Sequence, residues 1–171
     1  MDKLDIKLMP YKKINKIKKY HILDSNNHIF KFKINDVYTP FGPEISNNQY
    51  RLNIGFTNKD INKNNIEFID NIKLYENFFN EFNDFKNYKL HSNIIDRNKY
   101  GIIIRCHLKT YKNNIITPLN YRDNNIIKKN LWSEFDKSYS LDIEYTFDSL
   151  WINEDEKTYG ISIQILSILQ K

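Results

Sequence analysis

Residues 99–111 read Lys-Tyr-Gly-Ile-Ile-Ile-Arg-Cys-His-Leu-Lys-Thr-Tyr. Strand side chains alternate between faces. Tyr100, Ile102, Ile104, Cys106 and Leu108 therefore share one face, and Gly101, Ile103, Arg105, His107, Lys109 and Tyr111 the other. The first face suits a core. The second is cationic and ends in an aromatic ring. A half-solvated antiparallel strand is the plain reading of this alternation. The sharper one is a sheet face that attracts a polyanion carrying π-faces, which describes single-stranded nucleic acid.

The neighbouring segments extend this sheet. Residues 49–57 alternate, with Tyr50, Leu52, Ile54 and Phe56 inward and Arg51 and Asn53 outward. Before them, Val37-Tyr-Thr-Pro-Phe-Gly-Pro-Glu44 joins two prolines, which cannot donate to a ladder, to a glycine that tolerates positive φ. This predicts a fixed loop displaying Tyr38 and Phe41. Upstream, residues 18–23 and 28–35 predict a hairpin turning through Asp24-Ser25-Asn26-Asn27. Phe30, Phe32 and Ile34 share one side of the second strand, and Ile29, Lys31 and Lys33 the other. Between 60 and 86 the period changes. Phe68, Ile72, Tyr75, Phe79 and Phe82 recur at steps of 4, 3, 4 and 3, with Ile69 and Phe78 widening the stripe. That predicts an amphipathic helix, too rich in Phe for a solvated stripe, plugging the open end or side of a sheet.

Downstream, 112–138 is Asn-rich and broken by Pro118, and is expected to be a long loop with at most one short strand, carrying Tyr121, Arg122, Lys128, Lys129 and Trp132. The last third predicts a hairpin turning at Glu154–Lys157. Tyr139, Leu141, Ile143, Tyr145 and Phe147 face in on its first strand, and Tyr159, Ile161, Ile163 and Ile165 on its second. Asp142, Glu144 and Asp148 face out, an anionic surface with no place for a phosphate. Charge is segregated along the chain: residues 1–35 hold nine lysines and three aspartates, residues 133–171 eight acids and three lysines.

About six or seven strands and one helix after the third of them predict a mainly β fold. The expected architecture is a closed or nearly closed OB-fold-like antiparallel barrel, with a β-sandwich bearing one helix as the alternative. At 171 residues a single domain, 1–171, is expected, with 1–17 as a basic N-terminal arm, mobile or paired at a sheet edge.

The formal net charge is +5 and the pI about 9.1, a balance that favours anionic partners without bearing on the fold. The chain contains no Ala, while Asn, Ile and Lys make up about two fifths of it, far from ordinary usage. These residues have AT-rich codons, so an AT-rich genome is expected. Arginine resists that drift, which draws attention to Arg51, Arg97, Arg105 and Arg122. The single cysteine, Cys106, excludes a disulfide framework and suits a reducing compartment. No apolar run reaches the ~18 residues of a membrane span, and no signal-peptide core opens the chain. An intracellular, cytoplasmic protein without a membrane partner is expected.

Signatures of catalysis are sparse. His21, His28, His91 and His107 lack metal-ligand spacing, and the four glycines form no phosphate loop. Asp142 and Glu144 share a strand face, as a two-metal nuclease would require, but paired acids on a solvated strand are ordinary surface. The expectation is a non-enzyme with no cofactor and no metal. The parts that single-strand binding needs are cationic and aromatic. They are found in Lys31, Lys33, Arg51, Lys99, Arg105, His107 and Lys109, and in Tyr38, Phe41, Tyr100 and Tyr111.

Val37-Tyr-Thr-Pro-Phe-Gly-Pro-Glu-Ile45, Tyr50-Arg-Leu-Asn-Ile54, the helical stretch 66–82, Lys99-Tyr-Gly-Ile-Ile-Ile-Arg105 and Leu150-Trp-Ile…Tyr159-Gly-Ile161 occur in one order. That order resembles the single-stranded-DNA-binding proteins of large cytoplasmic DNA viruses, yeast cytoplasmic linear plasmids and phages. The resemblance implies an OB-fold that coats single-stranded DNA during viral or plasmid replication, with Lys99, Tyr100 and Arg105 at positions such a family uses. Single-stranded RNA is the other strand such a surface would accept. The chain departs from many single-strand binders in ending Ile165-Leu-Ser-Ile-Leu-Gln-Lys171 rather than in an acidic tail, so replication proteins would be met by the acids of 142–156. Two other classes remain: a structural or interaction protein of a viral particle or transcription complex, and a nuclease-like enzyme using Asp142 and Glu144.

Overall fold

The computed structural model describes residues 5–46, 49–56, 63–82, 85–97 and 101–171. Five strands come first: β1 (Lys7–Ile14), β2 (Ile17–Leu23), β3 (Phe32–Val37), β4 (Pro43–Ser46) and β5 (Gln49–Phe56). Helix α1 (Lys63–Asn80) follows, then β6 (Lys89–Leu90), β7 (Ile94–Asp96), β8 (Ile102–Leu108), β9 (Thr110–Tyr111), β10 (Asn114–Ile115), β11 (Leu119–Asp123) and β12 (Ile126–Asn130). The chain ends in two 13-residue strands, β13 (Leu141–Asn153) and β14 (Thr158–Gln170).

These last two strands are the spine of the sheet. They form the predicted hairpin, with Leu141, Ile143, Tyr145, Phe147, Ile161, Ile163 and Ile165 all buried. Tyr139 lies before the strand and is exposed. The continuous path runs β1-β2-β13-β14-β8-β5-β4. The mainly β class with a single α-helix among the described residues is as expected. Of the closed or nearly closed antiparallel barrel the sheet shows neither closure nor a wholly antiparallel order: the path is open, and β14 runs parallel to β6, β8 and β11. A 13-residue strand has an edge long enough to take three short partners from distant parts of the chain, and those arrive in the parallel sense. The predicted hairpin between 18–23 and 28–35 forms only at its turn, where Leu23 and Ile29 make a single antiparallel bridge and the Asp24 N–H donates to the His28 carbonyl (2.9 Å). β2 and β3 lie end to end on one edge of β13, at Ser149–Asn153 and Leu141–Tyr145. Asp24 shapes the link between them, its Oδ1 accepting the backbone N–H groups of Asn26 and His28 (both 2.8 Å). Residues 7–14 of the basic arm pair with β2 as the edge strand β1.

The helix is where its periodicity placed it, over a shorter range. Phe68, Ile69, Ile72, Tyr75 and Phe79 are buried, whereas Phe82 lies past its end and is 40% exposed. Its aromatic stripe meets the inner face of the sheet, with Tyr75 stacked on Phe147 (ring centroids 4.0 Å) and Phe68 edge-on to Tyr145 (4.6 Å). Burying such rings supplies much of the drive to fold. Glu76 is also buried. It accepts from Ser92 Oγ and the Asn93 N–H, and the Asn93 amide donates to the Ile161 carbonyl, pinning segment 91–93 to β14.

Residues 112–138 are not the expected long loop. They hold two tight hairpins, β9–β10 turning at Lys112-Asn113 and β11–β12 turning at Asn124-Asn125. All four turn residues have positive φ, between 45° and 68°. Paired positive φ is what a two-residue hairpin turn requires, and Asn adopts it readily. The Asn pairs that looked like loop composition are turn residues. Trp132 begins a 3-10 turn, Trp132–Glu134, and its indole N–H donates to the Thr117 carbonyl (2.7 Å).

Candidate nucleic-acid interface

Strands β5 and β8 pair so that Leu52 faces Cys106 and Ile54 faces Ile104, all four buried, as the alternation predicts. Burial pushes the Cys106 thiol well above its ordinary pKa. On the opposite face Arg51 stands against His107 and Asn53 against Arg105. The next pair, Gly55 and Ile103, marks where the outer face is covered. Gly55 N–H donates to the Tyr38 carbonyl (3.1 Å), and Pro40 lies 3.0 Å from where a Cβ on Gly55 would stand. The loop crosses the sheet there, which accounts for the burial of Ile103 despite its place on the polar face.

Two polar rows cross the strands on this face. In one, His107 stands against Arg51 on β5 and against Gln164 on β14. In the other, Lys19 on β2 faces Trp151 on β13, which faces Gly160 on β14. The second row continues through His91, held to β14 by its N–H on the Tyr159 carbonyl (2.7 Å), to Arg105, whose Nη1 donates to His91 Nε2 (3.2 Å). A cleft of about 440 Å³ opens beside His107 and Gln164 of the first row and reaches Lys19 of the second. It is lined by Lys12, Lys19, His107, Lys109, Ser149, Ser162 and Gln164, with Tyr11 at its border. Tyr11 is the extra residue of a bulge in β1 and stacks on His21 (3.8 Å); bulges re-aim side chains in this way.

The electrostatics of the cleft are legible in His107. Its pKa is lowered to about 4, first by burial and then by repulsion from Arg51 and Lys19. Cations from β5 and β2 thus converge on a neutral imidazole. Asp148 is the acid lining this cleft. The outer face of β13–β14, expected to be anionic, is not so along its whole length. Beyond the bulge between Phe147 and Ser149, that face turns from acid to Ser, Trp and Gln beside Lys19.

The structure sorts the expected site residues into groups. His107 and Lys109 line the cleft, Arg51 stands opposite His107 on β5, and Arg105 lies in the adjoining row. Tyr38 and Phe41 are 51% and 59% exposed, on a loop held by Pro40 at Gly55 and by Gly42, whose φ is +71°. Tyr111 is exposed on the separate β9–β10 hairpin, with Lys112 Nζ 5.4 Å from its ring centroid. Lys31 and Lys33 are not part of the cluster. Lys33 stands opposite Glu144 and lines a different cleft with Asp142, at the far end of β13. Lys99 and Tyr100 lie outside the described residues. Sequence reasoning missed Lys19, Tyr11 and Trp151 as members of the site. The alternation of Lys19 with His21 is visible in the sequence, but their neighbours on β13 are not.

The segregated charge of the chain meets itself in the fold. Lys18 pairs with Glu154 and Lys16 with Asp155 (both 2.5 Å). Asp142 is held by Lys171 (2.7 Å) and accepts the Asp36 N–H (3.1 Å). Among the described residues no three His, Cys, Asp or Glu side chains converge as metal ligands, and no helix is long and apolar enough to cross a membrane. Lys12, Lys13 and Lys19 form no ion pair among the described residues, which leaves the cleft side of the first hairpin cationic. No protein-family model matches the chain, and no curated protein matches it.

Proposed function

We propose that the protein binds single-stranded DNA, without catalysis and largely without sequence preference, across the outer face of β2, β13, β14, β8 and β5. The observation that carries this reading is the convergence of Lys12, Lys19 and Lys109, against the single acid Asp148, on one cleft that also holds Tyr11, with Arg51 across from His107 beside it. A cationic groove beside stacking platforms is what a single strand needs, because its backbone is a polyanion and every base has a π-face. The partly exposed polar side chains beside the cleft, Ser162 and Gln164, both donate and accept and suit a sequence-tolerant contact.

The strand order supports the same reading. β3 pairs with β13, β13 with β14, β14 with β8 in parallel, β8 with β5, and a single bridge, Tyr38 to Gly55, returns from β5 to the end of β3. We read this succession as a partly open five-stranded Greek-key barrel of the OB type, elaborated by β1, β2 and the hairpins of 110–130. In that type the face of the second and third strands and the loop joining the first two bind oligonucleotides. Here those are β5, β8 and the loop of Tyr38 and Phe41. The helix departs from the expected place, lying between the second and third barrel strands. The test is the anisotropy of a fluorescent oligo(dT) titrated at several salt concentrations. Affinity that falls as salt rises supports the reading, and absence of binding at low salt refutes it.

A further inference from the structure

We propose that Trp151 is a base-stacking platform, with Lys19 and Arg105 holding phosphates on its two sides; this rests on the single-strand reading and extends the strand's path from β5 and β8 across β14 to β13. Leu150 points into the core, so Trp151 points out, and it is half-buried. Its six-membered ring lies over Gly160: a Cβ there would stand 2.6 Å from Trp151 Cζ2 and 2.8 Å from the His91 carbonyl oxygen. Only glycine leaves room for the ring to settle against the sheet, and a ring so held has little freedom left to lose when a base stacks on it.

The surroundings supply the rest of a nucleotide site. Lys19 is the cross-strand neighbour of Trp151 on β2. On the other side the His91 ring is 5.8 Å away, tilted by 58°, and accepts from Arg105. An aromatic face set between two cations matches the alternation of base and phosphate along a strand. The other tryptophan is unlike it: Trp132 is fastened to Thr117 and stacked on Phe135 (5.6 Å).

There are two tryptophans in the chain, so Trp132→Phe leaves Trp151 as the sole indole emitter. Titration of that variant with oligo(dT) should quench its emission in step with the anisotropy of a labelled strand. An abasic oligonucleotide of equal length should bind without the quenching. In the otherwise native protein Trp151→Ala should weaken oligo(dT) binding by about 5- to 150-fold and leave the salt slope unchanged, because no charge is removed, while Trp151→Phe recovers most of the affinity. Binding with unaltered Trp151 emission, or native affinity in Trp151→Ala, would overturn this inference alone. Absence of binding by the native protein at low salt would overturn the single-strand reading and this inference with it. If Trp151→Ala fails to fold, the quenching and the abasic control decide the question.

Discussion

The outer face of β13 has two ends of opposite character. At one end Asp142 pairs with Lys171, and Glu144 stands across the strands from Lys33. At the other, past the bulge at Phe147–Ser149, Ser149 and Trp151 meet Lys19 and the cleft of His107. Both ends use the same alternation and bury the same kind of inward residue. What differs is which strand lies alongside: β3 with Lys33 at the first end, β2 with Lys19 at the second. At the first end Lys171 pairs with Asp142 and Lys33 lies across from Glu144; at the second Lys12 and Lys19 form no ion pair among the described residues and share the cleft with one acid, Asp148. A lysine's neighbours, more than its presence, decide whether its charge is available to a ligand.

The largest expected effect separates the ends by pH. His107 at the cationic end has a folded pKa of about 4, against about 6.5 when unfolded. Above pH 6.5 neither state is protonated and the residue costs nothing. As pH falls towards 4 the unfolded chain takes up a proton that the folded one refuses, so stability drops. The full difference is about 3 kcal/mol. Urea unfolding at pH 7.5 and pH 4.5 should show about three quarters of that loss in the native protein and a smaller one in His107→Gln. Equal losses would mean that His107 is not held neutral by its burial and the cations beside it. A phosphate bound beside His107 would offset the repulsion, so affinity for oligo(dT) should rise over the same interval.

Salt comes next. If about four phosphates are neutralised at the cationic end, log affinity falls with log salt at a slope near −3, roughly 50-fold between 50 and 200 mM. A flat profile would leave the two ends indistinguishable. Phe41→Ala should then cost about 30-fold in affinity, ~2 kcal/mol for a lost stacked base. Its melting temperature should be nearly unchanged, because the ring is 59% exposed rather than packed in the core. A much lower melting temperature with native affinity would return Phe41 to a structural role. The smallest effects make the cleanest contrast. Lys109→Ala should weaken binding a few-fold and flatten the salt slope by about 0.7, one phosphate contact. Lys33→Ala, at the acidic end, should change affinity less than about twofold, since a surface charge already facing an acid has little to offer a ligand. Equal effects of the two substitutions would show that the strand runs the full length of β13.

The regular alternations were legible wherever one face is buried. Leu52, Ile54, Ile104 and Cys106 are inside, with Arg51, Arg105 and His107 opposite them, and the Phe and Tyr stripe of α1 is where its period placed it. Residues 112–138 were misread because Asn serves equally in a loop and in a positive-φ turn, and only the paired strands on either side of Asn124-Asn125 distinguish the two. Tyr11 was illegible for a related reason: a bulge breaks the alternation by one residue and sends the side chain where period two does not point.

From the sequence alone came a mainly β chain with one buried aromatic helix, a cationic face on 102–109, and a rigid loop displaying Tyr38 and Phe41. These follow from period, residue type and backbone restriction, which are local. The tertiary structure alone decided that Lys19 belongs with His107, that Lys33 belongs with Glu144, and that Trp151 rests on Gly160. Strand pairing joins residues far apart in the chain, and its choice depends on which edges of β13 and β14 remain free when the core has formed, a condition no single stretch of sequence carries.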